Sequence, residues 1–228
     1  MNLTRERFFV ISSISRSFRL CEIEGFSILG GSTNMKKKMI KIGIISACCT
    51  LAMSTVALAA VPVIGGYLSR GVDSMCYYVD STASSYTSYI NTGINRWTNS
   101  GYSPSDFINM TAVSLNYATD VDYYAQGMDD FIIVSCLAET TYFSSTGSET
   151  SGVRPYYYSE IRINNDTIGS CTSYEKIGTM AHELGHAPGL DENNTNTSSI
   201  MCQLGSGRTV NTVSAEDYAT VVSIYGGE

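Results

Sequence analysis

The chain has 228 residues, 43% of them hydrophobic, which is enough for one domain with a full core and too few for two. Its formal charge of -7 is unevenly spread: the first 59 residues hold eight Lys/Arg and three Asp/Glu, whereas from Ala60 onward six Lys/Arg face eighteen Asp/Glu. An acidic body disfavours nucleic acid and anionic membrane surfaces as partners and fits a soluble exported protein.

Residues 35–59 have the form of a secretion signal: Met35 is followed by Lys36, Lys37, Lys38 and Lys41, an apolar run over 42–59, and the small-x-small site Ala57-Leu58-Ala59. Cleavage is expected after Ala59. A membrane-spanning reading is disfavoured by the short run and by Pro62, Gly65 and Gly66 behind it, so no stable membrane insertion is expected after cleavage. Ile45-Ser46-Ala47-Cys48 resembles a lipobox, but the six residues between Lys41 and Cys48 disfavour lipid anchoring. Residues 1–34 stand in front of a complete signal. They are expected to be an over-extended gene start or a disordered basic leader, and codons for Gly30-Gly31 can form a ribosome-binding sequence ahead of Met35. The expected location is extracellular, outside a Gram-positive bacterium.

Residues 60–74 read as a short linker and 75–228 as the domain. Cys21, Cys48 and Cys49 leave with the leader, while Cys76, Cys136, Cys171 and Cys202 remain and allow up to two disulfides in three connectivities. Residues 75–79 are predicted as a strand and 83–98 as a helix, with Tyr86, Ile90, Ile94 and Trp97 as its core stripe. Strands follow at 110–117 and 130–137. Between them Asp120, Asp122, Asp129 and Asp130 read as a solvated acidic loop; calcium is conceivable there, but the spacing of an EF-hand is absent. A Ser/Thr/Gly-rich loop covers 144–153. The strand near 155–164 puts Tyr157, Ser159, Ile161 and Ile163 on one face and Tyr158, Glu160, Arg162 and Asn164 on the other; its Pro155 and alternating charges predict an edge strand.

Thr172 and Glu175 have the form of a capping box, so a helix is predicted from about Ser173, with Ile177, Met180, Ala181 and Leu184 as its apolar face. His182 and His186, the two histidines of the chain, stand four apart on another arc and can share one metal, with Glu183 beside them. Random placement gives this pattern in roughly one shuffle in two thousand. Pro188 disfavours helical geometry at Ala187, and Gly189 suits a left-handed exit, which turns residues 190–193 back toward the metal. A closing helix capped by Ser214 and Asp217 is predicted through about Ile224, with a structural role.

His182, Glu183, His186 and Gly189, followed by Ser198-Ser199-Ile200-Met201, resemble the metzincin zinc endopeptidases, and specifically the matrixin-like secreted bacterial proteins. The resemblance implies an α+β, zincin-like catalytic domain: a twisted mixed sheet of about five strands with three helices, one of them carrying the metal ligands. It implies one catalytic Zn2+, held by His182, His186 and, by motif register, Glu192 where the family usually has His; Asp191 is the alternative, with closing the turn as its other role. Met201 would lie beneath the zinc as a methionine turn, residues 203–210 would wall the pocket, and an extended substrate would lie along Tyr158, Glu160 and Arg162. Glu183 would be the general base toward the zinc-bound water.

The expected function is thus that of a secreted zinc-dependent endopeptidase, acting as a monomer on protein or peptide substrates. Two other functions remain: a secreted binding or adhesion module that holds zinc without catalysis, and a hydrolase of cell-wall peptide links.

Overall fold

An interior strand that the sequence disguises lies at the centre of the sheet. The computed structural model describes residues 60–102, 107–131 and 135–226. Its strands are β1 (Met75–Val79), β2 (Met110–Ala112), β3 (Val121–Gln126), β4 (Ala138–Phe143), β5 (Glu149–Thr150) and β6 (Tyr158–Asn164). Across the sheet the order is β2-β1-β3-β6-β4-β5. The first four members run parallel, and β4 is antiparallel to both β6 and β5. The architecture is α+β with a mixed sheet, of six strands rather than five. The helices are α1 (Thr87–Thr98), α2 (Asn165–Ile168), α3 (Ser173–His186) and α4 (Ala215–Tyr225), four rather than three because α2 adds a single turn. The expected leader at 1–34 and signal at 35–59 lie outside the described residues, among which no helix is long and apolar enough to cross a membrane.

The acidic loop expected around Asp120 and Asp122 is instead the run into β3. Val121, Tyr123 and Ala125 alternate with Asp122 and Tyr124 at a strand's period of two, and the first three are buried. Asp120 is absorbed by the backbone N–H of Cys76, which donates to Oδ2 at 2.7 Å, and by Arg70 at 3.3 Å. Asp122 is also buried; burial pushes its carboxyl up to about 6, helped by the Glu160 and Asp120 charges and opposed by a bond from Thr119. The strand expected at 130–137 is not one among its described residues: Asp130 lies in a short 3-10 turn and Ser135 in a turn, while 132–134 lie outside the described residues. The strand expected over 110–117 is shortened to Met110–Ala112.

Nor is β6 an edge. It pairs with β3 on one side and with β4 on the other. Its alternating charges pair on one face of the sheet: Arg162 Nη2 is 2.9 Å from Glu160 Oε2 within β6, and Arg162 Nη1 reaches across to Glu139 Oε1 on β4 at 3.9 Å. Ser159, Ile161 and Ile163 occupy the opposite, fully buried face.

Helices α1 and α3 cover that buried face. They cross closely at Gly93, where a Cβ would sit 2.9 Å from the Met180 Cβ. Trp97 packs there as the anchor its place in the stripe predicts, 1% exposed, with Nε1 donating to the Ala181 carbonyl at 2.8 Å. The expected helix over 83–98 begins as 3-10 turns at Ser81–Tyr86, capped by Asp80, before α1 proper. Cys76, Cys136, Cys171 and Cys202 are all free thiols, so the expected disulfides do not hold this fold together.

Candidate metal centre

The metal-binding geometry begins with the N-terminus of α3, where Thr172 and Glu175 form the predicted capping box. From Ser173 the helix carries Met180, Ala181 and Leu184 into the core, which fixes its rotation and sets His182 and His186 on the face toward a cleft. Each ring is oriented from behind. His182 Nδ1 lies 2.9 Å from the Ile200 carbonyl and His186 Nδ1 lies 2.9 Å from the Leu190 carbonyl. A carbonyl only accepts, so each Nδ1 carries a proton, and in the neutral ring each Nε2 presents its lone pair.

The third group arrives from the turn after the helix. Glu192 Oε1 is 3.5 Å from His182 Nε2 and 3.6 Å from His186 Nε2. Tetrahedral ligands at about 2.0–2.1 Å from a zinc ion stand roughly 3.3–3.4 Å apart, so both carboxylate-to-imidazole distances are close to that spacing, and the three ligand atoms all lie within 4.8 Å of one another. Glu192 Oε2 is buried without a partner and Oε1 takes one protein donor, from Gln203, so the carboxylate keeps unused acceptor capacity. Burial opposes charge on His186 and Glu192 alike, yet their mutual attraction wins: the imidazole is pushed above its ordinary range and the carboxyl below its own. Without a metal the cradle therefore takes up a proton, and a divalent cation would replace it. Among the described residues this is the one His/Cys/Asp/Glu cluster with metal-binding spacing; the aspartates around 120–130 form none.

Asp191 takes the turn-closing role, its Oδ1 accepting the Glu192 N–H at 2.8 Å. Ala187 keeps right-handed helical angles despite Pro188, and the reversal occurs at Gly189, whose φ of 109° is left-handed. A Cβ on Gly189 would lie 2.6 Å from the Gly66 carbonyl oxygen. That contact reveals what residues 60–74 do: this stretch is no free linker. Ile64 N–H donates to the Gly189 carbonyl at 3.1 Å and Asp191 N–H to the Pro62 carbonyl at 2.8 Å, clamping the ligand turn.

Met201 is fully buried, its sulfur pressed against Gly185 between the two histidines on α3. The turn before it is held by Asp217 of α4, which accepts from the Ser199 hydroxyl and, at 3.0 Å, from the Ile200 N–H. Since the Ile200 carbonyl in turn orients His182, α4 positions the site as well as closing the fold.

The cleft has a volume of about 580 Å³. Its floor holds Glu183, 6% exposed, and the Thr140 hydroxyl on β4 donates its one proton across Glu183 Oε2 at 2.8 Å and the Glu183 carbonyl at 3.0 Å. Gln203 Nε2 donates to Glu192 Oε1 at 3.0 Å, and Gln203, Leu204, Gly205 and Arg208 form one wall, as expected for the loop after Met201. Tyr158, Glu160 and Arg162 line no part of the cleft; the facing strand is β4. Thr140 and the site role of Asp217 went unread in the sequence, while Gln203 and Arg208 were anticipated only as part of the walling loop 203–210. Only the Ser214/Asp217 capping pattern offered a local signal, and that signal pointed to a cap. No known protein family matches this chain, and comparison with curated proteins gives no significant match.

Proposed function

We propose that this protein is a zinc-dependent endopeptidase of the matrixin-like metzincin type, exported by the signal at 35–59. The observation that carries this reading is the convergence of His182 Nε2, His186 Nε2 and Glu192 Oε1 beside the fixed carboxylate of Glu183. A bound zinc ion supplies Lewis acidity, polarising a peptide carbonyl and making water more acidic. The two imidazoles and Glu192 would hold it, with one anionic ligand leaving less positive charge than three imidazoles.

Glu183 takes a proton from the water that adds to the carbonyl carbon and passes it to the amine nitrogen as the C–N bond breaks. Thr140 engages Oε2 and so leaves Oε1 free for that transfer. The extended substrate lies along β4, not β6. Its partner β5 pairs only Tyr142 and Phe143, so among the described residues the outer edge of β4 at 138–141 is free to take a peptide as an added strand.

Glu183→Ala tests the reading. The variant is expected to bind zinc as the wild type does and to lose chelator-sensitive cleavage of a denatured protein, read together by metal analysis and gel. Retained cleavage removes Glu183 from the role of base. Bound zinc in a wild-type protein that cleaves neither protein nor cell-wall peptide favours a binding module.

A further inference from the structure

Arg208 is the buried charge that the proposed chemistry leaves unused. Its side chain is 7% exposed and lines the same cleft, where it is the sole Lys or Arg among the described lining residues. Nη1 donates to the Cys202 carbonyl at 3.3 Å and Nη2 to the Thr179 hydroxyl at 3.3 Å. Both partners are neutral. Among the described residues no carboxylate lies within ion-pair distance of this guanidinium. Glu183 and Glu192 act on it only through space, and each has its own task, with Thr140 and with the histidines.

A buried cation without a counter-charge is costly, and a guanidinium offers five donors in a planar fork that matches a carboxylate. Two bonds to neutral acceptors hold Arg208 in place and leave donors over. Its position is also informative. Thr179 precedes Glu183 by four residues of α3, a rise of about 6 Å, so the guanidinium bonded to Thr179 lies roughly one turn along the helix from the proposed base. An Asp or Glu side chain next to a bond held over Glu183 spans such a distance, and so does the terminal carboxylate of a short peptide.

We infer that Arg208 is the anion-recognition residue of the cleft, binding a substrate carboxylate within one residue of the bond to be cleaved. This rests on the metallopeptidase reading above, and the test separates the two. Binding is measured on the full zinc-loaded chain carrying Glu183→Gln, which removes turnover, with labelled peptides in two matched pairs. One pair has Glu or Gln beside the cleaved bond, and the other a free or amidated C-terminus.

The expected result is about tenfold tighter binding of the acidic member of at least one pair, the charged ligand gaining a charge-assisted bond that its isostere lacks. The preference is expected to fall to near one in Arg208→Met and to return in part in Arg208→Lys. A preference confined to the Glu pair assigns the side chain, and one confined to the free-acid pair assigns the terminus. Equal affinities within both pairs overturn the inference while leaving cleavage by the wild type untouched. A preference that persists in Arg208→Met overturns it too. Should that variant fail to fold by circular dichroism, the ratio in Arg208→Lys and the two matched pairs decide. Absence of cleavage by the wild type sinks the peptidase reading, yet the matched pairs still report whether Arg208 selects a carboxylate.

Discussion

Glu192 reaches the candidate metal position because its side chain is long enough to return to the two imidazoles from a turn whose backbone Asp191 closes. Adjacent carboxylates with different tasks predict different losses. Glu192→Ala is expected to weaken zinc binding by about 100-fold or more, beyond the range typical of an outer-shell loss, whereas Asp191→Ala should cost about tenfold or less. Competition with a chromophoric chelator measures both, and the reverse ranking moves the ligand to Asp191. At this scale the two histidines and Glu183 were legible because a helix converts spacing along the chain into proximity in space. Thr140 was not. Its bond to Glu183 joins positions 43 apart, and no local pattern marks a threonine that will face a carboxylate across a cleft.

Helix α3 is held between the metal site on one side and α1 with the methionine turn on the other, and Gly185 is where those surfaces come closest. A methyl group there would meet the Met201 sulfur and lie 2.9 Å from Trp97 Cζ2. Gly185→Ala is therefore expected to lower stability by about 1–3 kcal/mol through overpacking, despite the better helix propensity of alanine. Urea denaturation checks it, and an unchanged or higher midpoint would mean that Met201 is free to move aside. The α3 and α4 boundaries followed from their capping boxes, whose partners lie three residues apart. The strands were less legible. In β3 the aspartates hid a period-two pattern, because nothing local tells that Arg70 and the Cys76 N–H will receive Asp120. The charges of β6 read as an edge because the neighbour that pairs with Arg162, Glu139 on β4, is brought there only by the fold.

The described residues fall within one compact unit, and both of its ends converge on the ligand turn. Val61 N–H donates to the Thr220 hydroxyl of α4 at 3.1 Å, and the Tyr225 hydroxyl donates to the Pro188 carbonyl at 3.0 Å. With four free thiols and no disulfide among the described residues, a metal bound between α3 and this turn would tie together elements from across the chain. Zinc at a thousandfold excess over its Kd is expected to add about 4 kcal/mol to stability. For a domain of this size that is roughly 8–16 °C in Tm, lost on chelation. Differential scanning calorimetry reads the shift, and a Tm indifferent to zinc and chelator would sink the metal site. By itself the sequence determined the helix that bears His182 and His186, its caps, the reversal at Gly189 and the return of residues 190–193, since each depends on residues within one or two turns of chain. The tertiary structure alone decided that β4 rather than β6 borders the cleft, that residues 60–74 brace the ligand turn, and that Thr140 and Asp217 belong to the site. Those outcomes depend on which strands become neighbours in the sheet. Pairing of that kind is settled by the burial of whole faces and leaves no mark on any short stretch of residues.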